Sequence, residues 1–144
     1  MVERLGETLT FVTCGVIKST PALAFPTRLQ EIHDGVLEVI ETHRPDRAAV
    51  EDIFFAKNVS SALKLGQARG AILMALLSRR LVVHEFTAKQ VKQAVAGYGQ
   101  ASKEQVQHMV RLLLHLSAQP SEDAADALAV ALCLTNHLRD GMMS

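Results

Sequence analysis

Polar and apolar positions alternate over residues 8–17, TLTFVTCGVI, and the abundance of β-forming side chains there predicts a strand. Pro21 and Pro26 then mark a loop. Leu29, Ile32, Val36, Val39 and Ile40 recur at helical spacing between Thr27 and Thr42, and Pro45 closes that segment. RAAVEDIFF, residues 47–55, reads as a short buried strand whose acids, Glu51 and Asp52, emerge at its end. A long helical pattern occupies residues 60–80, SSALKLGQARGAILMALLSRR, and LVVHEF, residues 81–86, is another strand. Thr87 caps a helix through Ala96, which GYGQ at 97–100 breaks. Ser102 with Gln105 makes a capping box for a helix to about Leu116, and SAQPSE leads into a last helix beginning SEDAADALAVAL at residue 121. Strands interleaved with helices, with no internal repeat, low-complexity run or linker, predict one α/β domain spanning residues 1–144.

The last helix is unusual in its first turns. Ser121 can cap it, and acids at a helix start complement the backbone dipole by about 0.3–1 kcal/mol, which accounts for Glu122 and one aspartate. Capping does not require two aspartates three residues apart. Asp123 and Asp126 share a face beside Leu128, Val130 and Leu132, so a carboxylate pair stands at the rim of the core that those residues enter. Glu51 sharpens the question, because burying an ionised carboxylate at a strand end costs several kcal/mol unless it is paired or binds a cation. Taken singly, Glu51 also reads as a solvated edge residue and the aspartates as cap acids. Taken together, a strand-end glutamate and a helix-start aspartate pair are the oxygen donors that one or two Mg²⁺ ions need from converging elements.

The chain has 144 residues, 49% of them hydrophobic, which is ample for a core of one domain and excludes a disordered chain. Fifteen basic and fifteen acidic residues cancel overall. Their distribution is polarised: from Lys57 to Arg111 nine basic residues face two acids, while the rest of the chain holds six basic and thirteen acidic. Such a basic middle is either a solvated surface or an electrostatic footprint for nucleic acid. Cys14 and Cys133 lack metal spacing and read as buried thiols of a reducing cytosol; His84, His108 and His115 read as structural. No apolar run is long enough for a membrane span, and MVERLGETLT lacks a signal peptide's apolar core, so the cytoplasm is the expected compartment.

Three segments carry a resemblance. VEDIFFAKNVSSALKLGQARG (50–70), KQVKQAVAGYGQASKEQVQHMV (89–110) and DAADALAVA (123–131) resemble, in order and spacing, the central motifs of the RuvC-type Holliday (crossover) junction resolvases. The likeness runs from about residue 2 to about residue 137. It implies an RNase H-like fold, a mixed β-sheet flanked by helices, in a homodimer that nicks two opposed strands of a four-way DNA junction symmetrically. It implies Mg²⁺ as cofactor, with Mn²⁺ able to replace it, one or two per site, and a branch-migration complex of RuvA and RuvB type proteins as partner. By position, Glu51, Asp123 and Asp126 become the metal-binding carboxylates, and Lys92 and Lys103 the catalytic-site lysines. Phe54 becomes the aromatic that meets unpaired bases at the crossover, and residues 58–77 the helix of subunit pairing and DNA approach. Phe54, Lys57, Asn58, Lys64, Arg69 and Lys89 are accordingly the candidate DNA contacts.

The chemistry of these residue types points the same way. Phosphodiester hydrolysis needs an activated water and a clamp on transition-state charge, and cations held by carboxylates supply both. Lys92 and Lys103 can add fixed positive charge at the phosphate, although lysines are also ordinary surface residues. A ring at residue 54 or 55 can stack on a splayed base for about 1–3 kcal/mol, with alternation leaving the other ring to the core.

One feature of the family pattern has no counterpart. Its first strand ends in a Gly-Ile-Asp-Pro-Gly type turn whose aspartate is the remaining metal ligand, whereas MVERLGETLTFVTCGVIKS lines up with the end of the second strand and the whole third. Neither Glu3 nor Glu7 replaces it, since neither sits on an apolar strand followed by a Gly/Pro turn. The expectation is therefore an N-terminally truncated nuclease domain lacking its central first strand, with an unpaired edge beside AAVEDI at about 1–3 kcal/mol per buried unmet group and poor solubility as a result. Two functions follow: a junction endonuclease, or a catalytically impaired junction-binding and dimerising module. For either, Leu63, Ala68, Ala71, Ile72, Ala75 and Leu76, with Gly66 and Gly70 between them, make an apolar helix stripe suited to a second copy.

Overall fold

The structure, a computed structural model, describes residues 1–52 and 57–143. Its elements run β1 (Val2–Leu5), β2 (Thr8–Phe11), α1 (Phe25–His43), β3 (Arg47–Asp52), α2 (Val59–Ser78), β4 (Val82–Thr87), α3 (Ala88–Ala96), α4 (Lys103–Leu113) and α5 (Glu122–Met143). Phe54, Phe55 and the expected end of the strand at residue 55 lie outside the described residues.

Two compact units divide the chain. The first comprises Met1–Gly15, Ala49–Ile53 and His84–Ser144, and the second Val16–Ala48 and Phe54–Val83. In the second unit α1 packs along α2, and Arg79 closes an ion pair of 2.8 Å with Glu41 across them. The first unit contains the main apolar core. Phe86 from β4, Val91 and Val95 from α3, Val106 and Val110 from α4, and Leu128, Leu132 and Cys133 from α5 are all buried. On α5 the buried positions 125, 128, 129, 132 and 133 repeat at three and four residues, which is why DAADALAVALC forms a helix with a wide apolar face.

Capping explains where these helices start. Gln90 N donates to Thr87 Oγ1 at 3.1 Å while Thr87 N donates to Gln90 Oε1 at 2.8 Å, and Ser102 with Gln105 repeats the reciprocal arrangement at 3.2 and 2.8 Å. Ala124 N donates to Ser121 Oγ at 3.3 Å at the start of α5. Gly97, with φ of 88°, ends α3 in the left-handed region that glycine enters without strain.

Several boundaries differ from those expected. β1, which the hydrophobic pattern alone did not single out, pairs antiparallel with β2 in the register Val2↔Phe11 to Leu5↔Thr8, around a turn in which Gly6 has φ of 61°. β2 ends at Phe11 rather than at residue 17, because β1 offers only four residues to pair with. Beyond it Val12 N and Thr13 N donate to Met1 O, and Ile17 instead lies against Gly35 of α1, where an added Cβ would stand 2.5 Å from it. Pro26 falls inside the first turn of α1 rather than in a loop, a position where its missing N–H is not needed. α4 stops at Leu113, and His115 with φ of 52° turns the chain away. Cys133 is buried as expected, but Cys14 is exposed, since the residues after β2 leave the ladder.

The strands form two separate two-stranded sheets, β1–β2 and β3–β4, in place of one continuous mixed sheet. Among the described residues no strand pairs with the second edge of β3. No helix of the described residues is long and apolar enough to cross a membrane.

Leu128 and Leu132 are each 1% exposed and Val110 is fully enclosed. Leu128→Ala is expected to cost about 2–5 kcal/mol in denaturant unfolding, through lost transfer energy and an unfilled cavity, against less than about 0.5 kcal/mol for Leu112→Ala on the solvent face of α4. Equal effects would place the core elsewhere.

Candidate active site

Four elements of the first unit contribute charged groups to one locality. β3 carries Glu51, its penultimate residue; α3 carries Lys92; α4 begins at Lys103; and the first turns of α5 carry Glu122, Asp123 and Asp126. The core sets their relative positions. Asn136 Nδ2 donates to Ala94 O at 3.2 Å, tying α5 to the helix that bears Lys92. Gln107 Nε2 donates to Pro120 O at 3.3 Å, tying α4 to the segment that launches α5. Since Leu128 and Leu132 lock the apolar face of α5 inward, Asp126 is left on the flank of that face, at the rim.

Glu51 is half-buried, and loss of hydration pushes its carboxyl above the ordinary glutamate range; the negative charge of Asp126 pushes it further, and Lys92 partly offsets both. Asp126 is also raised, by loss of hydration first; Lys103 opposes this most strongly, while Glu122 and Asp123 add repulsion and Lys92 a smaller attraction. The charge of Asp126 therefore reaches Glu51. Two carboxylates drawn together at a partly dehydrated rim, with ammonium groups on both sides, form the electrostatic arrangement that a cation would neutralise. Their hard oxygen donors and their excess negative charge fit a divalent ion. Among the described residues, however, no group of three or more acidic, histidine or cysteine side chains lies close enough to enclose a metal alone.

Lys103 is exposed and forms an ion pair with Glu122, which holds its ammonium above the ordinary lysine range, first through the hydrogen bond and then through the charge. Glu122 was readable in the sequence only as a cap acid. Its contact spans nineteen positions and joins the starts of two helices, which helical periodicity within one segment does not encode.

The remaining candidates are placed differently. Lys89 is exposed near the start of α3, one turn before Lys92, with its stem packed over Gly99. Lys57, Asn58, Lys64 and Arg69 belong to the second unit. Asn58 caps α2 by accepting from Ser61 N at 2.9 Å, Lys64 Nζ stands 6.0 Å from the centre of the Phe25 ring, and Arg69 is half-buried. Asn58 thus has a structural role that its sequence position did not announce. Phe54 lies outside the described residues.

The repulsion at Glu51 has a thermodynamic sign. An acid whose pKa is higher in the folded than in the unfolded chain contributes stability that is complete below the unfolded value and is lost as pH rises through the folded one. Glu51→Gln should therefore raise the melting temperature of the metal-free protein near neutral pH by about 1–3 °C, a modest gain because the group is only partly desolvated. The gain should vanish below about pH 4, where the wild-type carboxyl is protonated too. A variant that melts lower than wild type at neutral pH would contradict a Glu51 carboxylate disfavoured by lost hydration and by the Asp126 charge; calorimetry across pH checks it.

Comparison with known proteins identifies the lineage. Residues 1–134 match the family described as crossover junction endodeoxyribonuclease RuvC. The protein of that name from Geotalea uraniireducens is 53% identical over 136 residues, covering 94% of this chain and 80% of its own length. Its namesake from Ralstonia nicotianae is 51% identical over 133 residues, covering 92% of this chain and 74% of its own. Among solved structures, that of Thermus thermophilus RuvC superposes with a TM-score of 0.86, and that of T. thermophilus RuvC in complex with Holliday junction substrate with 0.89. Each is 39% identical in sequence and covers nearly all of this chain and 86% of the neighbour. A chain that the family matches over residues 1–134, that is about half identical to its named members and that superposes on their fold belongs to the RuvC family of crossover junction endodeoxyribonucleases.

Proposed function

We propose that this chain is a structure-selective endodeoxyribonuclease that resolves Holliday junctions by paired, symmetric, Mg²⁺-dependent nicks during DNA recombination and repair. The observation that carries the reading is the superposition of this chain on a RuvC bound to junction DNA, with Glu51 on β3 lying within reach of the charge of Asp126 on α5. Glu51, Asp126 and Asp123 hold one or two Mg²⁺ ions, with Mn²⁺ as an alternative. When bound, such an ion supplies a water acidic enough to act at neutral pH and positive charge against the pentacovalent transition state.

The chain's own residues do the rest. Glu51 projects from a strand end, and Asp126 from the flank of a helix whose apolar face is fixed by the core. Lys92 and Lys103 present fixed ammonium groups to the scissile phosphate, matching charge that grows as the bond breaks. Phe54 stacks on an unpaired base at the crossover. Lys57, Asn58, Lys64, Arg69 and Lys89 track the phosphates.

The active form in this reading is a homodimer paired through α2, which places two sites for symmetric cuts. Of the expected stripe, Ala75 and Leu76 are buried within the protomer and so cannot face a second copy; supporting a pairing surface instead, Val59, Leu63, Met74 and Leu77 on α2 are each more than half exposed, and an added Cβ at Gly66 or Gly70 would meet nothing within 4 Å. It works in the cytoplasm with a branch-migration complex of RuvA and RuvB type proteins. One observation favours a second reading, a junction-binding and dimerising module impaired in catalysis: among the described residues no three acidic, histidine or cysteine side chains gather at one point.

Binding of a synthetic four-way junction in EDTA, followed by Mg²⁺ addition, decides between the two. Paired nicks are expected, with Glu51→Gln lowering the nicking rate at least about a hundredfold while binding in EDTA stays within about threefold. Retention of the junction without products would support the binding module, and equal loss of binding and nicking in the variant would make Glu51 structural.

A further inference from the structure

Lys103 occupies a position that is locally unfavourable for its charge. As the first residue of α4 it sits at the positive end of the helix dipole, where acids are favoured and ammonium groups are not. Its own helix supplies only Glu104, a weak partner; the strong one comes from α5, where Glu122 receives the Lys103 hydrogen bond. Glu122 itself belongs where it is, since an acid in the first turn of α5 is stabilised by that helix. The pair thus joins a misplaced cation to a well-placed anion, and it brings the lysine's charge to bear on Asp126, for which Lys103 is the strongest attractive neighbour.

An exposed ion pair of this kind contributes little to folding, at most about 1 kcal/mol. With 68% of the Lys103 side chain and 52% of that of Glu122 exposed, stability alone gives no reason for a lysine at this helix start. Breaking a local rule without a packing return is what functional positions do.

We infer that Glu122 is a positioning residue: it tethers the Lys103 ammonium at the rim beside Asp126, so that the lysine meets the scissile phosphate pre-aimed rather than as a free surface side chain. The inference rests on the assignment of Lys103 to the phosphate. An acid at 122 also lies near the DNA, so it opposes binding slightly while it orders the lysine. The two effects have opposite signs and separate in experiment.

Cleavage of a saturating four-way junction and junction affinity in EDTA are measured for wild type, Glu122→Gln, Lys103→Ala and the double variant, together with ¹⁵N relaxation of the Lys103 ammonium in the metal-free, DNA-free protein. Glu122→Gln is expected to slow cleavage by about two- to fivefold, the range of one exposed ion pair. Affinity should be unchanged or tighter, the ammonium should reorient faster, and the substitution should have no further effect on cleavage in the Lys103→Ala background. Cleavage by Glu122→Gln as fast as wild type, or a slowing that persists in the Lys103→Ala background, overturns the tether. Wild-type cleavage by Lys103→Ala instead overturns the assignment of the lysine itself.

Discussion

Packing of α5 against α3 and α4 is the interaction on which the rest of the first unit depends, because it fixes Asp126 where its charge reaches the half-buried Glu51 carboxyl. Neither group chooses this neighbour. Glu51 is delivered by β3, and Asp126 by a helix whose apolar face is locked against α3 and α4. Because burial of Leu128, Leu132 and Val110 is worth several kcal/mol and the repulsion is a fraction of that, packing wins and the pair stays strained. A ligand that neutralises the rim then recovers free energy that folding left unclaimed, which couples ligand binding to stability.

The lysines complete an electrical balance. Lys92, half-buried in the middle of α3, and Lys103, exposed at the start of α4, each lower the cost of an acid at the rim. In a chain of zero net charge, this local ordering of acids and bases is what distinguishes the site from the surface around it. The second unit has a different character. Its helices α1 and α2 hold each other, yet α2 keeps a run of exposed apolar side chains and carries three of the basic candidate contacts, counting Lys57 just ahead of it.

Much of this was legible because its causes are local. The Thr87 cap, the Ser102 box, the Ser121 cap and the core-facing Leu128, Val130 and Leu132 of α5 are written in adjacent residues and recur in the structure where they were expected. The three acids stood out for the same reason: a charge at a strand end or a helix rim breaks the hydrophobic pattern. What was not legible depends on partners distant in sequence. The length of β2 is limited by how much of β1 pairs with it, the exposure of Cys14 follows from where that ladder ends, and the Glu122–Lys103 contact exists only because two helix starts converge. Asn58, a candidate DNA contact, also caps the first turn of α2, a local role that any Asn before a helix can take.

The central claim is that Glu51 and Asp126 form one cation-binding rim rather than two independent surface acids. Paramagnetic broadening of backbone amide signals by Mn²⁺, titrated into the DNA-free protein, tests it most directly. Broadening that begins together around residues 50–52 and 123–127, and is lost from both segments in Asp126→Asn, is the predicted result. Broadening that stays at residues 50–52 when Asp126 is neutralised, or that begins elsewhere on the surface, would contradict a shared site.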